Sequence, residues 1–149
     1  MSAEMSETVP ALEVRRRMPA PPQVVFDYWT DPEQVQHWLG GPAMNVPHAS
    51  IDLRVGGEYE YKLISPEGIS SRILGTFLTV NKPDQLIYTW IVENDAGRSP
   101  ETTVSIEFQG FGNETEVVIV HEGFLNVGVR AAHEEGWVGC FDALIPLLN

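Results

Sequence analysis

The segment that decides the fold is the C-terminal stretch NVGVRAAHEEGWVGCFDALIPLLN, residues 126–149. Its apolar residues recur in steps of one and three, with pairs four apart, and this spacing predicts a stripe along an α-helix. A helix that starts near Gly128 would be about 33 Å long, enough to cross a small domain. The predicted stripe consists of Trp137, Val138, Phe141, Leu144, Ile145 and Leu148.

The chain before this helix has the pattern of short strands and turns. A first strand is predicted over 11–18, followed by two short helices, one opened by Pro21–Pro22 and the other over 32–39. Gly56–Gly57 is well suited to a tight hairpin. Six further strands follow from the period of two between turn residues, at 45–55, 58–64, 71–80, 86–92, 102–108 and 115–122.

Together these elements predict an α+β architecture. Short turns between successive strands favour an antiparallel sheet, and a single long helix is available to cover its inner face. We therefore expect a curved antiparallel sheet of six or seven strands wrapped around the C-terminal helix. Residues 1–10 are predicted to be a flexible tail and residues 11–149 a single domain. Pro146 is expected to kink or end the helix.

Charge and composition exclude several classes of partner. Nine Lys and Arg against 21 Asp and Glu give a net charge of −12, which repels nucleic-acid phosphates and anionic lipid headgroups. We therefore expect neither a nucleic acid nor a membrane as a partner. The single cysteine, Cys140, suits a reducing compartment, and the N-terminus lacks the pattern of a secretory signal, so the predicted location is the cytoplasm.

No catalytic or metal-binding motif is complete. His121 and His133 each begin an HExxH-like sequence, but the fifth position holds Leu125 in one and Trp137 in the other. Cys140 lies in an apolar helix, where a small core residue is expected rather than a reactive thiolate. No GxSxG elbow or phosphate-binding glycine loop is present. The sequence therefore assigns no catalytic residue, no metal and no cofactor.

The inward aromatic residues leave a choice between a filled core and a cavity. For each residue taken separately a core position is favoured, but Tyr and Trp carry polar groups that need partners when buried. His121 shares a strand face with Val117 and Ile119, as Arg16 does with Leu12 and Val14. An apolar pocket with a few polar groups is typical of a small-ligand site. The candidate ligand-binding residues are Trp38, Tyr59, Tyr61, Trp90, His121, Trp137, Phe141 and Arg16.

Several segments taken in order carry a resemblance to a known family. They are FDYWTDPEQVQHWLGGP, SIDLRVGGEYEY, LGTFLTVNKPDQLIYTW, TEVVIVHEGF and HEEGWVGCFDAL. Over about residues 12–148 the chain resembles homologues of the heat-shock protein 90 ATPase activator, within the START-like, polyketide cyclase-like (SRPBCC) superfamily. The resemblance implies the helix-grip fold and a cavity between sheet and C-terminal helix that binds hydrophobic small molecules.

Three functions are compatible with this resemblance. The leading interpretation is a binding domain for a hydrophobic small molecule, without assigned catalysis and with a homodimer possible. A second is a cyclase/aromatase- or hydrolase-like enzyme, in which His121, a tyrosine and a carboxylate would act as acid and base. A third is a stress-related co-chaperone of the heat-shock protein 90 type. The co-chaperone of the family has a further N-terminal domain that contacts the chaperone, where this sequence has a short acidic segment, so chaperone contact is the least expected.

The two halves of the predicted helix differ. Gly136 and Gly139 flank Trp137 in the first half, whereas residues 141–148 are densely apolar. We therefore expect the second half to seal the core and the first half to border any remaining space.

Overall fold

The computed structural model describes residues 9–149, so most of the predicted tail lies outside the described residues. The elements in chain order are β1 (Leu12–Met18), α1 (Pro22–Thr30), α2 (Pro32–Val35), β2 (Asn45–Ile51), β3 (Glu58–Ile64), β4 (Ser70–Asn81), β5 (Gln85–Asn94), β6 (Gly97–Arg98), β7 (Thr102–Phe111), β8 (Glu114–Glu122) and α3 (Val127–Leu148).

All strand pairings are antiparallel, and the strand order is β1-β8-β7-β5-β4-β3-β2, with β6 paired to the end of β5. The predicted α+β fold, with an antiparallel sheet, two short helices after the first strand and a long C-terminal helix, is confirmed. Seven of the described strands form the continuous sheet, as predicted, and the two-residue strand β6, which has no hydrophobic pattern of its own, adds an eighth at the end of β5.

A proline begins the first of the two short helices, and a capping side chain begins the second. Pro22 is the first residue of α1, where its missing N–H costs nothing. The carboxylate of Asp31 accepts a hydrogen bond from the backbone N–H of Glu33 at 3.0 Å and so caps α2. The second helix ends at Val35 instead of continuing to residue 39, and the chain passes through turns before β2.

The connection between β2 and β3 is longer than the predicted tight hairpin. β2 ends at Ile51 rather than at residue 55, and residues 52–57 form the turn. The N–H of Gly57 donates to the carbonyl oxygen of Arg54 at 2.8 Å, and Gly56 has a φ of +83°. A Cβ at Gly57 would lie 2.1 Å from the carbonyl oxygen of Asp52, so only glycine fits there.

The long helix α3 spans Val127–Leu148, which agrees with the predicted start near Gly128 and with the predicted length. Asn126 caps it by accepting the N–H of Val129 at 2.9 Å. Pro146 does not end the helix, which continues to Leu148. The buried stripe of α3 is narrower than predicted, because Val138 is 36% exposed. The buried residues of the helix are Trp137, Cys140, Phe141 and Leu144. Within residues 9–149 no helix is long and apolar enough to cross a membrane.

The core lies between the inner face of the sheet and the helices α1 and α3. Phe141 and Leu144, in the second half of α3, are at most 1% exposed. The backbone of α3 approaches the sheet most closely at β1. Since β1 is at one edge of the sheet, the backbone of α3 lies farther from the central strands, and side chains occupy the space between them.

Candidate functional site

A cavity of about 220 Å³ lies between the first half of α3, strands β3 to β5 and the loop after α2. Its wall is almost entirely apolar, and it opens to solvent beside Ala132 and Gly136, which are both exposed. The lining residues are Leu39, Gly40, Leu63, Ile73, Trp90, Val92, Ala132, His133, Gly136, Trp137 and Cys140.

A larger depression, of about 690 Å³, lies around residues on the other face of β3. Four of its charged groups pair with one another: Arg54 pairs with Asp52 at 2.9 Å, and Arg72 pairs with Glu60. Paired charges on a solvated sheet surface are an ordinary feature of soluble proteins. We therefore take the smaller apolar cavity as the candidate site.

Gly136, which lines the cavity, and Gly139, the next glycine of α3, have different environments. A Cβ built on Gly136 would meet no atom within 4 Å, so the space in front of that residue is open. A Cβ on Gly139 would lie 3.6 Å from the Cα of Gly41. Gly41 has a φ of +100°, a conformation that favours glycine, and its loop closes one end of the cavity against α3.

Trp90 and His133 form one polar contact in the wall. The indole N–H of Trp90 donates to Nε2 of His133 at 3.2 Å. The other imidazole nitrogen, Nδ1, lies 2.9 Å from the carbonyl oxygen of Val129. These partners assign the tautomer, with the proton on Nδ1 and the acceptor lone pair on Nε2. Burial lowers the pKa of His133 from 6.5, which favours this neutral form.

Trp137 and His121 form a second, deeper contact behind the wall. The indole N–H of Trp137 donates to Nδ1 of His121 at 3.1 Å, so Nε2 carries the proton and donates to the hydroxyl of Thr102 at 2.7 Å. That hydroxyl donates to the carbonyl oxygen of Trp90 at 3.1 Å. His121 is fully buried, and burial, with a smaller effect from His133, lowers its pKa to about 3. It is therefore neutral at pH 7.

Gly40 and Cys140 form a third polar contact in the wall. The N–H of Gly40 donates to Sγ of Cys140 at 3.2 Å. Burial raises the pKa of the Cys140 thiol to about 12, so this group is protonated and weakly nucleophilic at neutral pH. Within residues 9–149 no cluster of three His, Cys, Asp or Glu side chains is arranged to hold a metal ion.

The structure places two of the eight candidate residues, Trp90 and Trp137, in the cavity wall. Their rings lie 5.2 Å apart, inclined at 45°. His121 is outside the wall, in contact with Trp137. Trp38 packs on Trp29 with 4.6 Å between ring centroids and donates its N–H to the carbonyl oxygen of Tyr28.

The other four candidates lie elsewhere in the core or at its edge. Tyr59 and Tyr61 pack together, 5.0 Å between ring centroids, and the hydroxyl of Tyr59 donates to the carbonyl oxygen of Thr89 at 2.7 Å. Phe141 is buried beneath α3. The guanidinium of Arg16 lies 5.5 Å from the Phe141 ring and pairs with Asp142 at 3.3 Å, so it joins β1 to α3 outside the cavity.

The sequence reasoning missed most of the aliphatic wall and one polar residue, His133. A signal for His133 was available, because Val129, His133 and Trp137 follow one another at intervals of four and so share a helix face. The alternation of side chains along β3 also predicts an inward position for Leu63, because this residue shares a strand face with Tyr59 and Tyr61. The missed wall residues are Leu39, Gly40, Leu63, Ile73, Val92, Ala132, His133 and Cys140.

An antiparallel sheet that holds a long C-terminal helix, with an apolar cavity between the two, defines a START-like protein of the helix-grip class. Within that class, the family model described as "Activator of Hsp90 ATPase homolog 1-like protein" matches residues 19–149, and the chain belongs to this family. The resemblance stated from the sequence is therefore confirmed. None of the functionally curated proteins matches the chain.

Solved structures of bacterial proteins share the fold. A protein from Nitrosomonas europaea is 29% identical, with 93% of this chain and 94% of that chain covered and a TM-score of 0.79. The AHSA1 protein from Silicibacter pomeroyi is 23% identical, with 93% and 96% covered and a TM-score of 0.81. An AHSA1-like protein from Aeromonas hydrophila is 20% identical, with 91% and 90% covered and a TM-score of 0.72. Below 25% identity the similarity shows the fold alone.

Proposed function

We propose that this protein binds a small, uncharged, apolar molecule in the cavity beneath the first half of α3. The observation that carries the proposal is the open space in front of Gly136, where α3 has no side chain beside an apolar wall. The space is about 220 Å³, and its lining is apolar with few polar groups, which is typical of a small-ligand site.

The size of the cavity limits the ligand. An apolar protein cavity of roughly 150 Å³ holds benzene. A cavity of about 220 Å³ therefore suits a molecule with one or two rings, or an aliphatic chain of similar volume. The faces of Trp90 and Trp137 supply aromatic surface for such a ligand.

The wall also selects against charge. The two imidazoles, the two indole N–H groups and the Gly40 N–H are all engaged within the protein. A charged ligand would lose its hydration without gaining a partner, which costs far more than the apolar contacts contribute. We expect discrimination against carboxylate or ammonium derivatives of any ligand that binds.

Native mass spectrometry of protein purified from cells tests this proposal. Wild-type protein is expected to carry an added mass of a small molecule that is released on denaturation. Gly136→Phe, which fills the open space, is expected to lose it. Glu135→Phe, which adds the same side chain at the exposed neighbouring position, is expected to retain it. Retention of the same mass by Gly136→Phe would place the ligand elsewhere.

The enzyme alternative has less support from the geometry. Both nitrogens of His121 are occupied by protein partners, and its pKa of about 3 means that at pH 7 it is neither an imidazolium acid nor a strong base. Burial also raises the pKa values of Tyr59 and Tyr61 well above 10. Turnover of any substrate that is lost in His121→Gln, while the fold and ligand binding persist, would favour this alternative.

Family membership supports a co-chaperone as a second candidate function. Such an activity would depend on the outer surface and not on the cavity. Capture of purified heat-shock protein 90 by the wild-type protein and equally by Gly136→Phe would support it. If neither protein captures heat-shock protein 90, the co-chaperone function is excluded.

A further inference from the structure

We propose that His133 is a positioning residue of the cavity, whose neutral imidazole holds Trp90 in the wall and whose protonation releases the ligand. This inference rests on the proposed binding function. Its basis is the pattern of donors and acceptors in the wall.

The acceptor atom is also the atom that titrates. Nδ1 of His133 donates to the carbonyl oxygen of Val129, which leaves Nε2 as the acceptor for the indole N–H of Trp90 at 3.2 Å. Acid adds a proton to that same Nε2. Two N–H donors then face each other, so the contact is lost and the indole ring has to turn.

Among the groups that the structure describes around His133, only the carbonyl oxygen of Val129 favours a positive charge on the imidazole, and desolvation by burial outweighs it. From β8 and the loop that follows it come neutral His121, 5.1 Å away between ring centroids, and Phe124. On α3, Arg130 and Glu134 pair with each other at 3.3 Å. Arg98 shares a surface depression with His133 and pairs with Glu93 at 2.7 Å. Within residues 9–149 no carboxylate lies within 4.0 Å of this imidazole.

Trp90 is the residue that couples protonation of His133 to the ligand. Its ring forms part of the cavity wall and contacts Trp137 at 5.2 Å. A turn of this ring alters both the width of the cavity and its aromatic surface. Because His133 itself is only half-buried, it can be protonated while the domain stays folded, whereas His121 is fully enclosed.

Binding of 1-fluoronaphthalene, followed by ¹⁹F NMR between pH 7.5 and pH 5, tests the role of His133. Wild-type protein is expected to bind about tenfold more weakly at the acid end, the effect of losing roughly one buried hydrogen bond. The midpoint of this change in affinity is expected below pH 6.5, since burial lowers the pKa of His133. His133→Gln, whose amide oxygen is an acceptor that does not titrate, is expected to bind with an affinity that does not change between pH 7.5 and pH 5. His37→Gln, at an exposed position, is expected to follow wild type.

Two results would overturn the inference. One is an affinity that falls with acid equally in wild type and His133→Gln. The other is an affinity that does not change with pH in wild type. Circular dichroism at each pH confirms that the fold is intact.

Failure of the proposed function is separable from failure of this inference. If no protein binds the probe at pH 7.5, binding of small aromatics is wrong, and the indole N–H resonance of Trp90 in ligand-free protein still decides the role of His133. A shift of that resonance with pH in wild type, absent in His133→Gln, supports the positioning role. A resonance that is unchanged with pH in wild type contradicts it.

Discussion

The indole N–H of Trp137 donates to Nδ1 of His121 across 3.1 Å and so joins α3 to β8 through a directed contact in an otherwise apolar interface. Apolar packing alone would allow a helix to slide along the sheet. A buried donor that must keep its acceptor restricts α3 to one position, and that position leaves the cavity open below Gly136.

Replacement of His121 by leucine is expected to lower the free energy of unfolding by about 2–4 kcal/mol. The variant leaves the N–H of Trp137 without an acceptor in a dry environment, which costs about 1–3 kcal/mol, and removes one of the two hydrogen bonds of the Thr102 hydroxyl, which contributes about 1 kcal/mol. Urea denaturation measures the loss. The exposed His37→Leu is the control and is expected to stay within about 0.5 kcal/mol of wild type.

Stability is expected to fall in acid through His121. Its pKa is about 3 in the folded state and 6.5 in the unfolded chain, so only the unfolded state gains a proton between these values. The stabilisation is complete above pH 6.5 and decreases as the pH falls towards 3, by about 1.4 kcal/mol per pH unit for one histidine.

Comparison with His121→Gln isolates this effect from the titration of carboxylates. Glutamine cannot gain the proton, so the stability difference between wild type and variant is expected to shrink as the pH falls from 6.5 to 4. A difference that stays constant over this range would show that His121 is not held neutral in the folded protein.

Gly75→Ala is expected to lower the free energy of unfolding by roughly 3 kcal/mol or more. A Cβ at this position would lie 2.0 Å from the carbonyl oxygen of Thr89, and the backbone of two strands would have to separate. Gly136→Ala is the matched control, because its Cβ meets open space. That variant is expected to be neutral or to stabilise by up to about 1 kcal/mol through helix propensity. Equal effects of the two substitutions in thermal unfolding would contradict this assignment.

Gly41→Ala is expected to cost about 1–2 kcal/mol. The residue has a φ of +100°, which strains any side-chain-bearing residue, and its built Cβ lies 3.5 Å from the backbone of Gly139. Chemical denaturation gives the loss, and ligand affinity is expected to fall as well because this loop closes one end of the cavity. Unchanged stability would mean that the loop does not hold α3 as described.

The helices and strands could be predicted from the sequence because burial of one face requires apolar residues at a regular spacing along the chain. Glu58–Ile64 is predicted to the residue, since Tyr59, Tyr61 and Leu63 alternate with polar neighbours. The connection at 52–57 could not be predicted, because its form depends on hydrogen bonds to the distant Phe77.

The candidate site was harder to predict than the fold. Trp90 and Trp137 are large residues with a polar group, and both line the cavity, but Trp38 and Tyr59 share these properties and instead pack against core aromatics. Which inward residue borders a space depends on what lies opposite it. For this reason the position of Gly136 was a better guide than any single aromatic residue.

The most direct test of the binding function is a ¹⁹F NMR titration of 1-fluoronaphthalene at pH 7.5 into wild type, Gly136→Leu and Glu135→Leu. We expect saturable binding of one molecule by wild type and by Glu135→Leu, and affinity at least about tenfold lower for Gly136→Leu, whose side chain occupies the open space. Absence of saturable binding to wild type, or equal affinity in all three proteins, would contradict a ligand site beneath α3.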